Sequence, residues 1–422
     1  VSKSLGKATL WTAGATFVKL FSGLLILKLL AFNFGSEGLG RAANYMTLLT
    51  VLSVMAGAGI FNGITKYVAE YGQHPSQLRA VISTSLFIIL FFSVVLAEIG
   101  LIFADKIAFF IFQQQGYAQV IQVLAVIQIA IALGNYFIAI LKGLRAVESN
   151  AIAVIASAII GVILFALALY MAEYKGALIG LALIPAVIVL PAYDLLKKCG
   201  QNYANFREFL KPYWHSEQAK NLLKFSLMTL STAISIPLVY ILLRNWLSEV
   251  RSINEVGLWQ GMSKISDAYL QFITAAFSVY LLPTFAKLNH WEDVSREVIK
   301  SLRFVFLTTT ILGLFIYLFR NMIIELLFSD DFIAMQELFI WQLIGDIFKV
   351  SAYIFGYLIL AKAAIKIYIL GEVLQSLLLL FLGVFLIPDK GALGAVQTYM
   401  WTYIIYFSLC LIIFMSFRRR MQ

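Results

Sequence analysis

Two ionisable pairs stand inside apolar sequence, each with the same spacing. Lys264 and Asp267 interrupt the run 256–284, and Asp346 and Lys349 interrupt the run 332–361. Residues three apart share one helix face, so each pair is able to neutralise itself. Lys19 differs: it lies roughly 15 Å into the first apolar run, with no opposite charge inside that run. Its helical stripe is Thr12, Thr16 and Gly23. Lys28 sits near the far end of that run, and Arg41 opens the next. Ionisable groups at membrane depth are costly, and they normally face a bundle interior or a water-filled cavity. Lys19, Lys28, Arg41, Lys264, Asp267, Asp346 and Lys349 are therefore the candidate substrate-binding residues. Five cations against two carboxylates leave a positive excess, which suits an anionic solute.

Plainer readings stand beside each of these. The two pairs are consistent with tolerated burial, and Lys28 with snorkelling to the interface. Other chemistry is poorly supplied. His74, His215 and His290 fall in expected loops, and Cys199 and Cys410 offer neither a disulfide framework nor metal spacing. A Walker loop and a Ser/His/Asp set are absent. No cofactor is expected, and the chain is not expected to be an enzyme.

The elements that position these residues follow from composition. The chain has 422 residues, 61% hydrophobic and 13% charged. Soluble domains are nearer a quarter charged, so the expectation is an all-α polytopic membrane protein. The alternating ten-residue strands of a transmembrane barrel are not seen. Twelve spans are expected, at about 9–32, 42–67, 79–103, 117–141, 150–171, 176–196, 221–243, 256–284, 298–319, 332–361, 366–387 and 392–416. The first is too long for a cleaved signal and reads as a retained helix. The formal charge of +10 is explained by cytoplasmic loops rather than by nucleic acid. Lys3, Lys7, Lys66, Arg79, Lys197, Lys198 and Arg418 to Arg420 fall on one side; Lys106, Lys175, Arg244, Arg251 and Lys390 fall on the other. The bias places both termini in the cytoplasm.

The interruption 197–220 divides the spans six and six. It separates an N-terminal lobe, 1–196, from a C-terminal lobe, 221–422, and reads as a cytoplasmic linker. Weak matches recur in order across the two. Gly38-Leu39 recurs as Gly257-Leu258, Gln122 as Gln342, and Lys175-Gly-Ala-Leu as Lys390-Gly-Ala-Leu. An even number of spans per copy makes the lobes parallel repeats, with a central cavity expected from that symmetry. The candidate charges break the repeat. Asp346 aligns with Val126, Lys349 with Ile129, and Asp267 with Leu48, which favours a task specific to one copy.

Longer stretches carry a resemblance. GAGIFNGITKYVAEY (57–71), SDAYLQFITAAFSVYLLPTFAKL (266–288), FGYLILAKA (355–363) and YIIYFSLC (403–410) resemble the Wzx-type flippases of enterobacterial common antigen. Those belong to the multidrug/oligosaccharidyl-lipid/polysaccharide exporter superfamily. The resemblance implies two six-helix lobes around a central cavity, working by alternating access. It implies a lipid-linked oligosaccharide substrate, lipid III, an undecaprenyl diphosphate carrying a trisaccharide with a uronic acid. It implies a bacterial inner (cytoplasmic) membrane location, with membrane lipids, an antigen polymerase and a chain-length regulator as partners. The competing expectation is a drug or small-solute antiporter on the same fold. A membrane glycosyltransferase, ligase or polymerase is disfavoured by the short outer loops.

Overall fold

The computed structural model describes residues 2–199, 211–224, 226–288, 290–362 and 364–421. All regular structure among them is helical. Helix α1 is Ser2–Met55, α2 Phe61–Glu70, α3 Pro75–Ile102, α4 Ala104–Phe112, α5 Ala118–Gly143, α6 Val147–Ala186 and α7 Val189–Cys199. Then come α8 Ser216–Leu223, α9 Ser226–Val250, α10 Ile253–Lys287, α11 Trp291–Leu318 and α12 Arg320–Leu327. A 3-10 turn at Asp330–Leu338 leads into α13 Phe339–Ala361, and α14 Ile365–Met421 closes the chain.

Eight helices among the described residues are long and apolar enough to cross a membrane by length and composition. Three are too long for one crossing. A straight 54-residue helix would reach ~80 Å against a hydrocarbon core of ~30 Å. Each of the three breaks where the backbone leaves the helical region. In α1 the break is Gly35 (φ 62, ψ −164), and in α14 it is Gly391 (φ 59, ψ −132). In α6 it is Ala172 and Glu173, the latter at φ 48, ψ −127. The expected span 9–32 and the start of 42–67 therefore share α1, as 150–171 and the first half of 176–196 share α6, with the remainder in α7, and 366–387 and 392–416 share α14. Helix α10, with 35 residues, also has the length to cross. The expected span 42–67 is interrupted. Helix α1 stops at Met55, and the chain turns through Ala58 (φ 50) and Gly59 (φ 70) before α2.

The contacts divide the chain into two compact units. One comprises Val1–Leu29 and Asn44–Ile234, the other Leu30–Ala43 and Ser235–Gln422. The first has its core on α2, α3, α5 and α7, where Ile64, Val81, Tyr136, Ile140 and Leu196 are all buried. Part of the expected linker docks on that unit. The Tyr213 amide donates to the Ser83 carbonyl (3.3 Å), the Trp214 ring meets Phe87 edge-on, and Ala219 of α8 joins the core, as does Leu222 just beyond the linker. Residues 200–210 of that linker lie outside the described residues. In the second unit Leu270, Phe277, Leu281 and Phe285 of α10 pack with Val298, Ile354 and Phe414. Phe272 of α10 stays 55% exposed.

Candidate functional site

Asp346 is the most heavily engaged polar side chain of the second unit. It is fully buried on α13. A carboxylate is costly in such a place unless its oxygens are met by donors. Three helices supply them. From α10 the Ser266 hydroxyl lies 2.7 Å from Oδ1 and 2.6 Å from Oδ2, and the Tyr269 hydroxyl donates to Oδ2 at 2.7 Å. From α14 the Tyr399 hydroxyl donates to Oδ1 at 2.6 Å, and within α13 the Gln342 amide lies 3.3 Å from the same oxygen. Gly345 allows Tyr399 to lie across α13, since a Cβ there would stand 2.5 Å from the ring. The carboxylate thus ties α10, α13 and α14 together at one point.

Lys349 follows one helical turn later and is half-buried. Its ammonium sits over two ring faces, 5.2 Å from the Tyr399 centroid and 5.5 Å from that of Tyr403. Those distances fall within the range of cation–π attraction. The Tyr403 hydroxyl in turn accepts from the Gln375 amide at 2.6 Å. A second cation of this unit, Arg244 on α9, is 6% exposed. It donates to Gln260 Oε1 at 2.7 Å and to the Ala43 carbonyl at 3.3 Å, with its guanidinium over the rings of Tyr240 and Trp259.

The other expected residues are less enclosed. Lys264 and Asp267 of α10 pair with each other at 3.7 Å, with side chains 38% and 60% exposed. Arg41 pairs with Glu37 one turn before it, just beyond the Gly35 bend. Lys19 and Lys28 belong to the first unit, on the first limb of α1. Lys19 is exposed, Lys28 half-buried, and a Cβ added at Gly23, on the Lys19 stripe, would meet nothing within 4 Å. The stripe through Thr12, Thr16, Lys19 and Gly23 is therefore open. The structure brings Asp346 and Lys349 into one network through Tyr399, and leaves Lys264 and Asp267 paired with each other in a more exposed place.

Sequence reasoning missed several polar groups of the second unit. Arg244 was assigned to an outer segment, yet it is buried; an arginine ending the run IPLVYILL was the available signal. Ser266, Tyr269, Tyr399 and Tyr403 are uncharged and gave no signal of their own. Glu372, half-buried on α14 inside the expected span 366–387, is a further intramembrane carboxylate that was not singled out. Among the described residues, no group of three or more His, Cys, Asp or Glu side chains is placed to hold a metal ion.

Comparison with known proteins places this architecture. The chain is 49% identical over 417 residues to the lipid III flippase of Escherichia coli (strain K12), covering 99% of this chain and 100% of that protein. The lipid III flippase of Shigella flexneri matches to the same extent. Among solved structures, an inward-facing multidrug resistance MATE family transporter of the MOP superfamily superposes with a TM-score of 0.71 at 16% identity, covering 95% of this chain and 96% of that one. The lipid II flippase MurJ, in an inward closed conformation, gives 0.71 at 15% identity, covering 96% of this chain and 87% of that one. Those two likenesses establish the fold, an all-helical architecture of several membrane-length apolar helices. Residues 5–289 match the polysaccharide biosynthesis protein family, and on that match and the full-length identity to lipid III flippases the chain belongs to this family.

Proposed function

We propose that this protein translocates lipid III, an undecaprenyl-diphosphate-linked oligosaccharide, from the cytoplasmic to the periplasmic leaflet by alternating access. The observation that carries this reading is the 49% identity, end to end, to flippases of that name. The distant MATE likeness concerns the fold alone, so it does not argue for a drug substrate. The cationic groups supply matching chemistry. Lys19, Lys28, Arg41, Lys264 and Lys349 suit the diphosphate and uronic acid of the head group, which are anionic. Asp267 and Asp346 complete the set, Asp267 as the exposed partner of Lys264 and Asp346 at the buried tyrosine hub.

The protein acts as a translocator, and no bond of the lipid is made or broken. It lies in the bacterial inner membrane with both termini in the cytoplasm, as the Lys and Arg bias requires. Twelve spans fall in two lobes, 1–196 and 221–422, joined by a linker at 197–220. An antigen polymerase and a chain-length regulator are its partners downstream of translocation. The test is genetic. In cells lacking their own lipid III flippase, this chain is expected to restore surface enterobacterial common antigen. Normal membrane expression without surface antigen would contradict the proposal, and protection against cationic dyes in the same cells would favour a drug antiporter.

A further inference from the structure

Asp346 and Lys349 are one turn apart, and the simplest expectation is that they pair. The geometry is different. Both carboxylate oxygens of Asp346 are occupied by the donors of Ser266, Tyr269, Tyr399 and Gln342, and the group is fully buried. Lys349 makes no salt bridge among the described residues. It rests instead on the faces of Tyr399 and Tyr403. Each of those rings is fixed at its hydroxyl end by a different partner, Asp346 for Tyr399 and Gln375 for Tyr403. A ring face attracts a cation through its quadrupole without neutralising its formal charge. The ammonium keeps its N–H donors for an anion, and lysine serves phosphate groups as a point charge.

We propose that Lys349 is the cation that receives the diphosphate of the transported lipid, and that Asp346 and Gln375 are positioning residues that act through Tyr399 and Tyr403. This rests on the flippase reading above and deepens it. Asp346 then touches no substrate. Its carboxylate fixes the tilt of the Tyr399 ring, and the ring fixes the height and direction of the ammonium. Tyr403, held by Gln375, completes the seat. Arg244, closed in by Gln260, Tyr240 and Trp259, is a packed cation and not part of the anion seat.

The test uses the full-length protein in lipid nanodiscs, titrated with undecaprenyl diphosphate. Lys349→Met is expected to weaken binding about tenfold, since a charge-assisted contact is lost, while Lys349→Arg keeps most of it. Tyr399→Phe retains the ring and removes only its bond to Asp346. It is expected to weaken binding about threefold in the otherwise unchanged protein, and to add nothing in the Lys349→Met background. Wild-type affinity in Lys349→Met would overturn the anion contact. An equal loss from Tyr399→Phe in both backgrounds would overturn the positioning role, because a purely structural effect does not depend on the lysine. Asp346→Asn is the parallel probe of the hub, and Tyr399→Phe stands in for it where that variant does not fold. If the unchanged protein binds no polyprenyl diphosphate at all, the flippase reading itself falls.

Discussion

Helices α5 and α13 bury the same pattern of positions and fill it with opposite chemistry. Leu124, Ala125, Gln128, Ala132, Gly134, Tyr136 and Phe137 are buried on α5; Gln342, Leu343, Asp346, Val350, Ala352, Ile354 and Phe355 are buried at the same intervals on α13. In this register Asp346 answers Gln128. The amide nitrogen of Gln128 donates to the Ser93 carbonyl at 2.6 Å and lies 3.3 Å from the Ala125 carbonyl, so backbone acceptors meet its donor end. A carboxylate cannot use carbonyls, and α13 has recruited three hydroxyls and an amide in their place. Gln342 stands where α5 has Leu124, and Lys349 stands where α5 has the fully buried Ile131. Helix α5 thus keeps a neutral helix contact, while α13 has made the same place into a charged, multi-helix hub.

The contrast can be broken by substitution. Asp346→Leu leaves three buried hydroxyls without their acceptor and is expected to destabilise the fold by about 3 kcal/mol or more, read as thermal unfolding in detergent. Unfolding at the wild-type temperature would remove the carboxylate from its place as the hub. Gly391→Ala puts a side chain into a positive-φ backbone and against the Glu255 carboxylate, at an expected cost of about 2 kcal/mol. Gln128→Leu, at the neutral counterpart of Asp346, is expected to cost only about 1 kcal/mol, because no charge is involved. A loss equal to that of Asp346→Leu would erase the distinction between the two helices. Glu173→Gly is expected to stabilise by up to about 1 kcal/mol, since Glu173 holds the positive φ that Gly391 supplies at no steric cost. The smallest effect belongs to Lys264→Met, within about 0.5 kcal/mol, as the exposed pair with Asp267 contributes little to stability.

Much of this was legible in the sequence. Apolar runs located the membrane helices, and charge inside them located Asp346, Lys349, Lys264 and Asp267. Letter matches between the two halves were visible too, but the backbone register was not. Lys175-Gly176 matches Lys390-Gly391 in letters, whereas the backbone pairs Glu173 with Gly391, both at positive φ with ψ near −130°. Letters drift against backbone because the bend needs a geometry and not a particular residue, and in one copy a glutamate adopts it. The same cause hid the burial register. Gln122, which matches Gln342 by letter, is exposed, and Val126, which matches Asp346, is 57% exposed. Partners of a buried charge were hidden for a different reason. Serine and tyrosine are ordinary in membrane helices, and only the packing of α10 and α14 on α13 shows that four of their side chains serve Asp346 and Lys349.

The central claim is that this polar core serves the movement of an anionic glycolipid across the bilayer. Its most direct measurement is the rate at which lipid III changes leaflet in proteoliposomes containing the purified protein. The account predicts translocation well above that of protein-free vesicles, and a strong reduction for Lys349→Met at equal incorporation. Translocation no faster than in empty vesicles, or unchanged in Lys349→Met, would contradict it.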